Sequence, residues 1–158
     1  MISSDDIVHG LLRDDEEVHR ELKARFGPEI VGPDGADRAR IAEIVFADPE
    51  QLAWLESLLH PRVVREYLAW RDEQTAAVTV SEIPLLYETG GERRFDHVVV
   101  ITAPPEVRAG RTRVDAAPRE ARLVPDDEKV RQADFAYVNE GTLEELDAFV
   151  ADVLARVS

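Results

Sequence analysis

The sequence has no cysteine, a single methionine, and only two lysines, Lys23 and Lys129, among its 19 basic residues. The missing cysteine excludes disulfides, a thiolate nucleophile and any cysteine-ligated metal. No apolar run approaches the ~20 residues that cross a bilayer. Met1-Ile2-Ser3-Ser4-Asp5-Asp6 has neither the basic start nor the apolar core of a secretory signal. A cytoplasmic location is therefore expected. Positive charge is also scarce: 33 acidic residues against 19 basic give a net charge of −14. Such a field repels nucleic acid, whose binding depends on neutralising phosphates, and anionic membrane surfaces, so neither is expected as a partner. An anionic small molecule can bind such a chain where arginines or backbone amides concentrate, and the forked guanidinium suits phosphate. The sequence specifies no oligomeric state.

What is present suits one globular domain over residues 1–158: 44% hydrophobic and 33% charged residues, with no internal repeat and no low-complexity linker. Ile7, Val8, Leu11, Leu12, Val18, Leu22 and Phe26 form an apolar stripe at helical spacing. The spacing predicts one helix, capped by Ser4 or Asp5 and ended by Phe26-Gly27-Pro28. Gly32-Pro33-Asp34-Gly35 is a turn. Asp37 caps a second helix through Ile41, Ile44, Val45 and Phe46, and Asp48-Pro49-Glu50 opens a third. Pro61 predicts a break or kink in that third helix. Ala76 to Ile83 and His97 to Thr102 read as strands, the second apolar enough to be buried on both faces of a parallel sheet. Short helices at Pro104–Arg113 and Asp126–Ala133, a strand at Phe135–Val138, and a helix from Thr142 to Val157 with a Thr142/Glu145 capping box complete the pattern. The inner face of the last helix reads as Leu143, Leu146, Phe149, Val150, Val153, Leu154 and Val157. Strands alternating with helices predict an α/β fold with a parallel sheet.

Several segments, in order, carry a resemblance. Ile2-Ser3-Ser4-Asp5 looks like an Ile-Asp-Ala-Asp segment that ends a strand and starts a helix. Asp34-Gly35-Ala36-Asp37-Arg38 with Val45-Phe46 looks like Asp-Gly-x-x-Asp-Arg followed by Val-Phe. Leu59-His60-Pro61-Arg62-Val63 resembles a His-Pro-x-Val motif, and Ile83-Pro84-Leu85-Leu86-Tyr87-Glu88 resembles Ile-Pro-Leu-Leu-Phe-Glu. Asp127-Glu128-Lys129, Ala133-Asp134 and Asn139-Glu140-Gly141-Thr142 close the series. Together they resemble the dephospho-coenzyme A kinase family. The resemblance implies a nucleotide-kinase-like three-layer fold with a helical acceptor-binding insertion over about residues 5–75 and a short lid over about residues 111–126. It also implies transfer of the ATP γ-phosphoryl to the ribose 3′-hydroxyl of dephospho-coenzyme A, with Mg²⁺.

One family feature is missing. The family opens with a strand, then Gly-x-x-Gly-x-Gly-Lys-Ser or -Thr, then a helix; no Gly-Lys-Ser or Gly-Lys-Thr occurs here. That unit, on the order of 30 residues, carries the central first strand, the amides and lysine that cradle ATP phosphates, and a hydroxyl for Mg²⁺. The expectation is that the true protein starts upstream and that these 158 residues alone transfer no phosphate. The alternatives are a non-catalytic coenzyme-binding or interaction module, and a gene fragment.

The resemblance gives each candidate a role beside an ordinary structural one. Asp5 matches the carboxylate that orients the acceptor hydroxyl; position alone makes it a helix cap. Ser3 stands where the family usually has another Asp. Glu82, ending a strand, would hold Mg²⁺ through water or simply face solvent. Glu88 would bond the acceptor or cap a helix, and Leu85 would touch its pantetheine arm or fill core. Arg38 and Arg62 would hold coenzyme phosphates; Arg38 could equally pair with Asp34 or Asp37. Arg111 and Arg122 (or Arg119) sit in the local excess of positive charge that corresponds to the lid and would stabilise the moving phosphoryl. Asn139 and Gly141 resemble the turn that packs on adenine, or form a plain turn before a capped helix. His60 precedes Pro61 and reads as structural.

Overall fold

The computed structural model describes residues 1–111 and 123–158. The chain divides into two compact units, Met1–Ile83 and Pro84–Ser158.

In the first unit the long apolar stripe is carried by two helices, not one: α1 (Ser4–Asp14) and α2 (Glu16–Phe26). Asp15 separates them. Its backbone is extended and its carboxylate accepts from the amides of Glu17 and Val18, which makes it the cap of α2. A good cap followed by two glutamates is a stronger local signal than continuation of the helix. The stripe survives because both helices face one core, with Leu11, Leu12, Val18 and Leu22 all buried. At the start of α1 neither Ser4 nor Asp5 is the cap: both lie in the first turn, and Ser3 occupies the cap position without a side-chain capping bond.

Gly27 ends α2 with φ 96°, and a short 3₁₀ turn at Pro28–Ile30 leads into a hairpin of β2 (Val31–Gly32) and β3 (Gly35–Ala36). Gly35 has φ 102°, and a β-carbon there would lie 2.7 Å from the Arg13 backbone. Glycine is therefore what lets the hairpin lie against the end of α1.

Asp37 and Asp48 cap α3 (Arg38–Ala47) and α4 (Pro49–Asp72), as their positions predict. The expected break at Pro61 does not occur: α4 runs through it for 24 residues. Proline removes one amide and crowds the preceding turn. Here Leu55, Leu58 and Leu59 before it and Tyr67 after it are all buried, which holds both halves on one axis. Arg62 also donates to the Leu58 carbonyl at 2.7 Å, bonding a carbonyl in the turn that proline disturbs. The core joins α1 and α2 to Ile30, Ile41, Val45 and the leucines of α4. Phe26 packs edge-on against Trp54 at 5.2 Å.

The strand expected over Ala76–Ile83 is only β4 (Ser81–Glu82), paired in parallel with β1 (Ile2–Ser3) in the register Ile2↔Ser81 and Ser3↔Glu82. The pairing is limited by its partner, which turns into α1 after two residues.

In the second unit β5 (Val99–Thr102) and β6 (Phe135–Val138) form a parallel pair in register Val99↔Phe135 through Thr102↔Val138. Between them the described elements are α5 (Pro105–Arg111) and α6 (Asp126–Gln132), and α7 (Leu143–Val157) follows. β5 was expected to be buried on both faces; instead Val99 and Ile101 are exposed and Val100 and Thr102 half-buried. The pair is a separate two-stranded sheet, and its apolar run exceeds what the described neighbours cover. On α7 the capping box of Thr142 and Glu145 is present. Its inner face is narrower than the sequence suggests. Phe149 stacks on Tyr137 at 5.0 Å and Val153 is buried, whereas Leu143 is 75% exposed and Val150 and Leu154 are also exposed.

Candidate functional site

The parallel β1–β4 pair brings together two residues far apart in sequence. Ser3 is opposite Glu82, and the chain turns into α1 directly after Ser3, so Asp5 in the first turn of α1 and Glu82 both stand at the carboxyl end of the pair. The carboxyl ends of parallel strands, where helices begin, are where α/β folds bind ligands. Both carboxylates are exposed, and neither forms an ion pair among the described residues. Among the described residues no group of three His, Asp or Glu side chains could hold a metal by itself. Two carboxylates fit Mg²⁺ only if phosphate and water supply the remaining ligands, which is how that ion is commonly held.

The cations of this unit divide into used and unused. Arg62 is 16% exposed, donates to the Leu58 carbonyl and forms a 3.0 Å ion pair with Glu17, tying α4 to α2. Arg38 pairs with neither Asp34 nor Asp37; the Asp37 carboxylate accepts the Arg40 amide instead. Arg38 lines an apolar cavity of about 220 Å³ together with His9. The other histidines have ordinary places: His19 donates to the Leu12 carbonyl at 2.8 Å, His97 packs edge-on against Phe135, and His60 is exposed on α4.

In the second unit Glu88 meets a partner the sequence did not pair it with. Its carboxylate lies 2.7 Å from the Lys129 ammonium, with the two side chains only 13% and 14% exposed, and it accepts the Val124 amide at 3.0 Å. Burial is the largest single influence on Glu88 and pushes its pKa up. The Lys129 hydrogen bond, the Glu88 and Val124 amides and the Lys129 charge together outweigh burial, and the carboxyl ends below its usual range. The two partners come from the Pro-Leu-Leu-Tyr-Glu segment and the Asp-Glu-Lys segment; membership of both in the family pattern was the only sequence signal for the contact. Beside it, burial first, then the Asp134 and Glu92 carboxylates, raise the pKa of Tyr87 and keep it protonated. Leu85 is exposed.

Asn139 extends the sheet ladder, its amide donating to Thr102 at 2.7 Å. Gly141 sits against the Glu145 carboxylate of the capping box, so a β-carbon there would collide with it. Arg119 and Arg122 lie outside the described residues, as does the side chain of Arg111, the last residue of α5. Most of the expected lid, residues 111–126, falls outside with them. Of the local arginines only Arg108 is placed, 2.9 Å from Asp126.

No helix among the described residues is long and apolar enough to cross a membrane. The family model for dephospho-CoA kinase matches residues 1–145. A dephospho-CoA kinase of Corynebacterium glutamicum is 35% identical over 173 residues, covering 100% of this chain and 86% of that protein. One of Thermus thermophilus is 35% identical over 150 residues, covering 90% and 73%. Among solved structures, a Thermus thermophilus protein superposes with a TM-score of 0.79 at 34% identity over 99% of this chain and 84% of its own. The dephospho-CoA kinase of Campylobacter jejuni superposes with a TM-score of 0.70 at 25% identity, again over 99% and 84%. With its α/β fold, its parallel strand pairs and these matches over nearly its whole length, the chain belongs to the dephospho-CoA kinase family.

Proposed function

We propose that this chain supplies the acceptor side of a dephospho-CoA kinase, the enzyme that moves the ATP γ-phosphoryl onto the ribose 3′-hydroxyl of dephospho-coenzyme A. The observation that carries the reading is the Ser3↔Glu82 register, which sets Asp5 and Glu82 at one end of a parallel strand pair. Asp5 accepts the hydrogen bond of the acceptor hydroxyl and aligns it for attack. Glu82 would hold Mg²⁺ through water, and the ion when bound would offset negative charge on the transferring phosphoryl. Arg38 pairs with the coenzyme pyrophosphate, Arg62 fixes the α2–α4 frame beneath it, and Leu85 offers apolar surface to the acceptor. Glu88 holds Lys129 in place. Arg111 and Arg122 neutralise the moving phosphoryl, and Asn139 and Gly141 shape the turn against adenine. The acceptor is a small soluble molecule, and the reaction belongs in the cytoplasm.

No glycine-rich Gly-Lys-Ser or Gly-Lys-Thr loop occurs in the 158 residues. Positioning and electrostatics from such a cradle account for most phosphoryl-transfer catalysis. The expected result is that the purified 158-residue chain, shown folded by circular dichroism, binds dephospho-coenzyme A in a calorimetric titration. Asp5→Asn weakens that binding, and no phosphoryl transfer from Mg-ATP is detected. A folded chain that binds no dephospho-coenzyme A refutes the acceptor-side reading; appreciable turnover by these 158 residues refutes the need for the loop.

A further inference from the structure

Helices α1 and α4 pack on each other and border a second cavity, on the side of α1 turned away from Asp5. At about 100° per residue, Asp5, Val8, His9 and Leu12 share one side of α1. Ile7, Gly10, Leu11 and Asp14 share the opposite side, and these four line the second cavity together with Ile2 and Trp70. Its volume is about 430 Å³, within the roughly 300–1,000 Å³ of small-molecule sites. No residue given a role on the acceptor side lines it.

Three features give the cavity a chemical direction. The first is Gly10. It lies in the interior of α1, where glycine weakens a helix relative to alanine. Its φ is not positive, and a β-carbon there would meet no atom within 4 Å. Neither backbone geometry nor packing inside the chain calls for glycine. Its effect is to leave the α1 backbone bare along the cavity, where a ligand can approach closely. The second is Trp70. It is half-buried, and the buried Tyr67 ring stands 6.4 Å from it as support. Indole is the side chain that attracts cations best over its face. The third is charge. Asp14, Asp15 and Glu66 line the cavity, and no arginine, lysine or histidine does. Arg13 and Arg65 pair with Asp14 and Glu66, but both pairs are exposed, and such pairs are weak. Asp15 accepts the Glu17 and Val18 amides and has no cationic partner among the described residues.

We propose that this cavity binds an organic cation, an ammonium group carried on an apolar body. The ammonium is held by Trp70 and the three carboxylates, and the body rests on Ile2, Ile7 and Leu11 beside the bare backbone of Gly10. The same carboxylates repel anions, so the site does not compete for a phosphate-bearing substrate. It needs no part of the acceptor-side reading.

The probe is benzyltrimethylammonium, and benzoate, with a similar body and opposite charge, is the control. In Trp54→Phe the one remaining tryptophan is Trp70, so its fluorescence reports on the cavity directly. Benzyltrimethylammonium is expected to change that fluorescence saturably, and benzoate to leave it unchanged. In calorimetric titration Glu66→Gln and Trp70→Leu are each expected to weaken the cation about fivefold. Gly10→Leu puts a side chain into the open space and favours the helix. It is expected to abolish binding without lowering Tm, a combination that separates a filled cavity from a damaged fold. The proposal is overturned by no saturable response in the folded protein, by equal binding of benzoate, or by unchanged binding in folded Gly10→Leu. It is also overturned if the small cation is ignored while a helical Leu-Lys peptide binds in a way that Gly10→Leu blocks, which would make the cavity a docking groove for a protein.

Discussion

Lys129→Met should destabilise the second unit more than any exposed substitution, because it strands a carboxylate. Lys129 and Glu88 are 2.7 Å apart and each nearly buried, and one Glu88 oxygen, Oε2, has no hydrogen-bond partner among the described residues. Methionine replaces the lysine stem at similar volume but removes the charge. Breaking a buried pair by removing one partner costs about 3–5 kcal/mol. Since Glu88 keeps the Val124 amide, the lower end applies. About 3 kcal/mol corresponds to a fall in Tm of roughly 6–12 °C for a chain of this size. Far-UV circular dichroism is the suitable readout, since both tryptophans, Trp54 and Trp70, lie in Met1–Ile83. The pH dependence provides a second check. In the unaltered chain the folded pKa of Glu88 is lowered. Its contribution is present above the ordinary carboxylate range and is lost as pH falls through the folded value. Without Lys129 its strongest opponent is gone, burial prevails and the folded pKa rises above the ordinary value. The residual contribution then favours acid and is lost as pH rises. The gap between the two proteins should be widest near neutrality and narrow below about pH 4. Adding Glu88→Gln to the variant should recover part of the loss. An unchanged Tm at neutral pH, or a gap that does not narrow in acid, would refute the reasoning.

Two further substitutions test the local structure of the first unit. Asp15→Ala removes the carboxylate that bonds two amides of α2 and should cost about 1 kcal/mol in urea unfolding followed by tryptophan fluorescence; no loss would mean the two helices part for another reason. Gly35→Ala should cost more than about 1 kcal/mol in the same measurement, because the position combines φ 102° with a 2.7 Å approach to the Arg13 backbone; a neutral result would mean the hairpin shifts freely on α1.

The sequence by itself determined what depends on neighbours along the chain. The caps at Asp37 and Asp48, the capping box at Thr142 and Glu145, the hairpin at Pro33-Asp34 and the strand Phe135–Val138 all follow from side chains within four residues of the backbone they serve. The order and spacing of the Ile-x-x-Asp, Asp-Gly-x-x-Asp-Arg, His-Pro and Pro-Leu-Leu-Tyr-Glu segments likewise carried the family. What the tertiary structure alone decided depends on partners distant in sequence. Whether Pro61 breaks α4 was settled by Leu55, Leu58 and Leu59 buried before it and Tyr67 buried after it, against a local rule that favours a break. How many residues β4 has was settled by the length of β1, and how far β5 is covered by its neighbours in space. The same holds for the site. Glu88 met Lys129 in a nearly buried pair, and Arg62, itself mostly buried, met the exposed Glu17 carboxylate. Arg38, which sequence reading could pair with Asp34 or Asp37, pairs with neither and lines an apolar cavity. Local hydrogen bonds are short-ranged and can be read from spacing, whereas neutralisation and burial depend on which surfaces meet, and that is fixed only when the helices pack.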